Sequence, residues 1–193
     1  GEVKRDCDGN GRFRVATALE DALKKCEEAE KLTAHPFIKY QKARILQIID
    51  NSCVLEERHA DSIQKAFSDA IYSIKTIGQY AGIAQTKSYA ALLWIYGQHL
   101  ADTHDYPHSI RYLEEAKISF EEQALSDQQY YQCCTRLGTV YLDYYLQDRS
   151  DRVAYLRKAR SIEHMLSQNW HSLGKARKYA AQLRMRLKDY GNY

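Results

Sequence analysis

The sequence predicts an all-α fold, an array of about eight antiparallel helices stacked as a repeat. Three observations predict it. Small residues recur at one phase of a large-residue pattern: Gly97 beside Tyr96 and Leu100, Gly138 beside Leu137 and Tyr141, Gly174 beside Trp170 and Leu173. The alanines Ala116 and Ala159 follow the first two glycines at a matching phase. The offsets are 41 residues from Gly97 to Gly138, 43 from Ala116 to Ala159 and 36 from Gly138 to Gly174. Self-similarity at periods of ~20 to 50 residues marks supersecondary units that bury their apolar faces by stacking on one another. Finally, only two prolines and nine glycines interrupt 193 residues otherwise rich in helix formers.

Taken in order, residues 1–12 (GEVKRDCDGNGR) are polar and rich in Gly, Asp and Asn, and read as a flexible lead-in. A single helical-repeat domain is expected over 13–193, and the opening at Gly1 is expected to be a cut from a longer protein. Apolar periodicity predicts helices over 13–32, 36–57, 61–79, 84–103, 107–124, 127–147, 150–167 and 170–189. Short connections make successive helices antiparallel neighbours. Pro36 follows the Thr33-Ala34-His35 turn and Pro107 follows Asp105-Tyr106, both suited to a first helical turn; Ser126-Asp127 and Ser150-Asp151 are cap candidates. Between Ser109 and Phe120, Ile110, Leu113, Ala116, Lys117 and Phe120 mark one face, with Glu114, Glu115 and Glu121 on the other. Gly97, Gly138, Gly174, Ala70, Ala116 and Ala159 are expected where helix axes approach closely, with the large neighbours filling the space between pairs.

Composition narrows the class further. A net charge of +3 conceals an asymmetry: residues 149–193 carry 11 Lys and Arg against 3 acids. A solvated basic face is the ordinary reading, with nucleic acid or an acidic partner as the alternative. Five cysteines, Cys7, Cys26, Cys53 and the vicinal Cys133 and Cys134, have neither disulfide-framework nor metal-ligand spacing. They fit a reduced, cytoplasmic setting, with Cys133 and Cys134 as small residues of a packing face. The most apolar stretch, Ala90 to Tyr96, is short of the ~20 residues a membrane span needs, so no membrane partner is expected.

Trp170, Leu173 and Gly174 reproduce most of the W-x2-L-G-x2-Y first-helix signature of the tetratricopeptide repeat, with Arg177 in place of the tyrosine. Leu137, Gly138 and Tyr141 reproduce another part, and His104-Asp105-Tyr106 before Ser109 to Ala116 is similar to that family's turn and second helix. The chain thus resembles the tetratricopeptide-repeat (TPR-like) superfamily, well over 84–189 and weakly over 36–83. Its periods exceed the usual ~34 residues, and so it is similar to the longer-helix variants of kinesin light chains and of sensor regions in bacterial regulators and signalling ATPases. The resemblance implies a right-handed superhelical array, a TPR-like α-solenoid, with a concave groove lined by the first helix of each pair. Mapped by phase from the glycines, the partner-binding residues are Trp94, Gln98 and Asp102; Thr135, Thr139 and Asp143; and His171, Lys175 and Lys178. Lys175 and Lys178 suit carboxylates or phosphates, and Trp94 an apolar anchor. The Lys and Asn clamp of chaperone-binding members is not reproduced, since Gln98, Thr135 and Thr139 occupy the corresponding faces.

His99, Asp102, His104, Asp105 and His108 form the densest polar cluster. His104 and His108 have the i, i+4 spacing of zinc ligands, but Pro107 stands between them. His59, His104-Asp105 and Asp143 follow the order of an HD-type phosphohydrolase, yet the repeat places His104-Asp105 in a solvent-facing turn. Arg157 and His164 have the Arg-then-His spacing of HEPN ribonucleases, a pairing common by chance in a basic helix. The tyrosines Tyr130, Tyr131, Tyr141, Tyr144, Tyr145 and Tyr155 read as packing between repeats, or else as an exposed recognition surface. No Walker loop, dinucleotide fingerprint or nucleophile elbow is present. The expectation is therefore a non-enzymatic module, without catalytic residues, metal or cofactor, that binds a peptide or protein surface, an acidic one being one of the options. A ligand-sensing regulatory domain of a signalling ATPase or transcriptional regulator is the first alternative, a metal-dependent phosphohydrolase or nuclease the second.

Overall fold

A computed structural model describes residues 9–52, 59–123, 128–147, 152–168 and 174–188. Among these residues every regular element is a helix. None is long and apolar enough to cross a membrane. The chain divides into two compact units, Gly1–Ala81 and Gly82–Tyr193.

The first unit contains α1 (Gly9–Leu32), α2 (Pro36–Ser52) and α3 (Ala60–Thr76). The lead-in expected over 1–12 is corrected at its end, because α1 already includes Gly9 to Arg12. Gly, Asn and Asp open helices as readily as they form linkers, so that composition marks the start equally well. Pro36 begins α2, where its missing N–H costs nothing, and His35 Nδ1 accepts from the Phe37 amide at 3.3 Å. Helices α2 and α3 run antiparallel: Asp50 takes the His59 amide and ring at the turn, while Tyr40 meets the Phe67 ring a few turns away. Ala43, Leu46, Ile49, Ile63, Phe67, Ala70 and Ile74 form the core, each under 4% exposed. The helix expected to run on to residue 79 stops at Thr76. A 3-10 helix, Gly78–Gln85, follows; its two glycines have open space where a Cβ would stand, so neither packing nor propensity favours a continuous α-helix there.

The second unit contains α4 (Lys87–Asp102), α5 (Tyr106–Glu122), α6 (Gln128–Gln147), α7 (Val153–Gln168) and α8 (Gly174–Leu187). Thr86 caps α4 by accepting from the Tyr89 amide, and Asp105 caps α5, with Pro107 in the first turn. The Ser126-Asp127 and Ser150-Asp151 caps lie outside the described residues. Helices α4 and α5 form an antiparallel hairpin. Ser109 Oγ donates to the Gly97 carbonyl at 2.7 Å, while further along Tyr89 donates its hydroxyl to Glu115 at 2.9 Å. Helices α6 and α7 do the same, with Tyr141 against Tyr155 near the turn and Tyr130 against Met165 at the far end. Helix α8 packs on both α6 and α7.

The repeat expected from sequence reappears as a repeat of buried positions. Tyr89, Leu92, Leu93, Tyr96, Gly97 and Leu100 of α4 match Tyr130, Cys133, Cys134, Leu137, Gly138 and Tyr141 of α6 at a constant offset of 41. Leu113 and Ala116 of α5 match Leu156 and Ala159 of α7 at 43. Gly174 is the first residue of α8, and the buried residues described within that helix are Ala176, Ala180 and Leu183. Trp170 and Leu173 of the expected signature lie outside the described residues.

Candidate functional site

A groove of about 410 Å³ opens on the second unit, with Gln132, Thr135, Arg136 and Thr139 of α6 as its floor. Trp94 and Gln98 of α4 form one side, Tyr179 and Gln182 of α8 the other. The α6 residues occupy i, i+3, i+4 and i+7, one stripe of a helix whose opposite stripe, Cys133, Leu137 and Tyr141, is buried in the core. Packing of the large residues therefore turns the hydroxyl and amide side chains outward together.

Four of the nine expected site residues, Trp94, Gln98, Thr135 and Thr139, line this groove. Trp94 is half-buried, and its indole N–H is shielded from solvent with no acceptor among the described residues. Thr135 donates its hydroxyl to the Tyr131 carbonyl at 2.8 Å and so presents mainly its methyl group. Asp102 and Asp143 do not line it. Asp102 forms an ion pair with Arg136, and Asp143 accepts from Arg186 at 2.6 Å. Both aspartates are thus neutralised by arginines of other helices. Lys178 is exposed on α8, outside the groove lining. His171 and the side chain of Lys175 lie outside the described residues.

Sequence reasoning missed Gln132, Arg136, Tyr179 and Gln182. On α6 the signal was available: stepping by four from Thr135 follows one column of a helical face about 100° wide, and the adjoining column holds Gln132 and Arg136. On α8 the mapping from Gly174 gives His171, Lys175 and Lys178 and passes over Tyr179 and Gln182.

The other candidate groups are held in ordinary structural roles. His104 stands in the turn between α4 and α5 at φ 65°, exposed, its Nδ1 2.9 Å from the Tyr106 hydroxyl. Asp105 is occupied as the α5 cap and by His108 Nδ1 at 2.9 Å. His59 is paired with Asp50, and His164 with Gln168 at 2.7 Å. No group of His, Cys, Asp or Glu able to hold a metal ion occurs among the described residues. Cys133 and Cys134 are fully buried, and burial pushes both thiols up, Cys134 to about 12. A thiolate is the reactive form, so neither is poised as a nucleophile. Tyr130, Tyr131 and Tyr141 are buried, while Tyr144 and Tyr155 meet edge to face, ring centroids 4.9 Å apart, with Arg152 over the first ring and Lys158 over the second.

A second concavity, about 300 Å³, lies between α5 and α7 and is lined in part by Glu114, Lys117, Ile118, Tyr141 and Lys158. Its polar groups are already matched: Lys158 and Tyr141 both donate to Glu114, and Lys117 to Glu121 at 2.7 Å. In comparisons with known proteins, no family model matches the chain and no curated protein matches it.

Proposed function

We propose that the second unit is a non-enzymatic protein-protein interaction module, a long-helix, TPR-like array in which the hairpins stack as a right-handed superhelix and a peptide binds along the first-helix groove. A cytoplasmic setting suits its reduced, buried thiols. One observation carries the reading. Helices α4 and α6 bury the same positions at a 41-residue offset, and the residues between those positions converge, with α8, on a groove of aromatic, amide and hydroxyl side chains around Arg136.

That lining suits recognition better than chemistry. It offers donors, acceptors and aromatic surface without a paired base and nucleophile. Blocking the groove tests the reading. A displayed library of random linear peptides is selected on the full chain, and the enriched peptides are titrated against Thr139→Tyr, whose added ring fills the floor. Affinity should fall at least about tenfold with melting unchanged; peptides that bind both proteins equally would place recognition elsewhere.

A further inference from the structure

Resting on that reading, we propose that the groove selects an extended peptide segment carrying an acidic side chain, and that this carboxylate exchanges with Asp102 for Arg136. Among the described residues that line the groove Arg136 is the one that carries charge, so the lining turns positive once Asp102 lets go of it. The Arg136 side chain is largely covered, at 27% exposure, whereas that of its partner Asp102 is 70% exposed. An ion pair so open to water holds weakly and exchanges readily. A peptide carboxylate lying in the groove meets the same guanidinium in a drier setting, where a charge-assisted bond is stronger. Asp102 is then an internal competitor: it neutralises Arg136 in the empty protein and yields to an acidic ligand.

The remaining lining explains why the ligand is an extended chain. Gln98, Gln132 and Gln182 each present a carbonyl and two N–H groups, the complement of the alternating donors and acceptors of an exposed main chain. Trp94 and Tyr179 supply flat apolar surface on the two sides. The Trp94 N–H, without an acceptor among the described residues, is a further donor that a peptide carbonyl can meet after a small turn of the indole.

The test uses peptides selected from a displayed random linear library on the full chain. We expect an Asp or Glu at one fixed position. Changing that residue to Asn or Gln should weaken binding about tenfold. Arg136→Gln should erase the difference between the paired peptides, Arg136→Lys should retain part of it, and Asp102→Asn should tighten the acidic peptide about threefold while leaving the neutral one unchanged. Peptides indifferent to both the acid and Arg136, yet lost in Thr139→Tyr, would overturn the acidic anchor and leave the groove standing. Peptides that survive Thr139→Tyr, or no enrichment at all, would overturn both.

Discussion

The two hairpins of the second unit share a frame and close it differently. In the first, a Cβ on Gly97 would stand 2.7 Å from Leu113 Cγ and 3.3 Å from the Leu113 amide, so the glycine admits the backbone of its own hairpin partner. Ser109 secures that approach by its bond to the Gly97 carbonyl. In the second, a Cβ on Gly138 would meet Leu183 Cδ2 at 2.5 Å and Ile162 Cγ2 at 3.2 Å, so this glycine chiefly seats a side-chain tip from α8. One repeated small residue thus closes a hairpin in one case and receives the next helix in the other. A shared sequence phase fixes which positions are buried, but not which helix fills the space opposite.

The largest effects should separate the two closures. Leu113 is fully buried between α4, α5 and α6, and Leu113→Ala is expected to cost roughly 3 to 5 kcal/mol by urea unfolding. Leu183→Ala, on a helix whose described buried residues are only Ala176, Ala180 and itself, should cost less, about 2 to 3 kcal/mol, because α8 can settle into the space. Equal costs would remove the distinction.

Next come the glycines. Gly97→Ala sets an overpacking cost of roughly 1 to 3 kcal/mol against a helix-propensity gain of about 1, a net loss of about 1 kcal/mol. Gly138→Ala presses on the end of a flexible side chain and should stay within about 1 kcal/mol of wild type; in a Leu183→Ala background it should become stabilising. A Gly138→Ala variant less stable than Gly97→Ala would reverse the assignment.

The smallest effect is one of pH. Burial alone would raise the Glu114 carboxyl, but hydrogen bonds from Lys158 and Tyr141 outweigh it and hold the group below its ordinary 4.5. A depressed carboxyl contributes stability that is fully present above its unfolded value and lost as pH falls through the folded one. Acid titration below about pH 4.5 should therefore loosen the joint between α5, α6 and α7 a little, and Glu114→Gln should abolish that part of the slope. An unchanged slope in the variant would show that Glu114 contributes nothing there.

The same contrast explains what could be read from the sequence. Helix order, the α4 to α7 phase and the burial of Ala70, Ala116, Ala159, Cys133 and Cys134 follow from apolar periodicity, a local property. The α8 lining residues Tyr179 and Gln182 did not, because the mapping from Gly174 passes over them. Nor did the fate of Asp102 and Asp143, whose partners Arg136 and Arg186 sit 34 and 43 residues away, at no period of the repeat shared by both. Cross-helix ion pairs depend on how helices lie against one another, which a one-dimensional pattern does not encode.

A recognition surface shared by α4, α6 and α8 is tested most directly by amide and indole chemical-shift mapping of the isotopically labelled chain on titration with a selected peptide. Shifts should concentrate on Gln98, Gln132, Thr135, Arg136, Thr139 and Gln182 and on the Trp94 indole N–H. Shifts gathered instead on Ile118, Lys117 and Lys158, between α5 and α7, would contradict it.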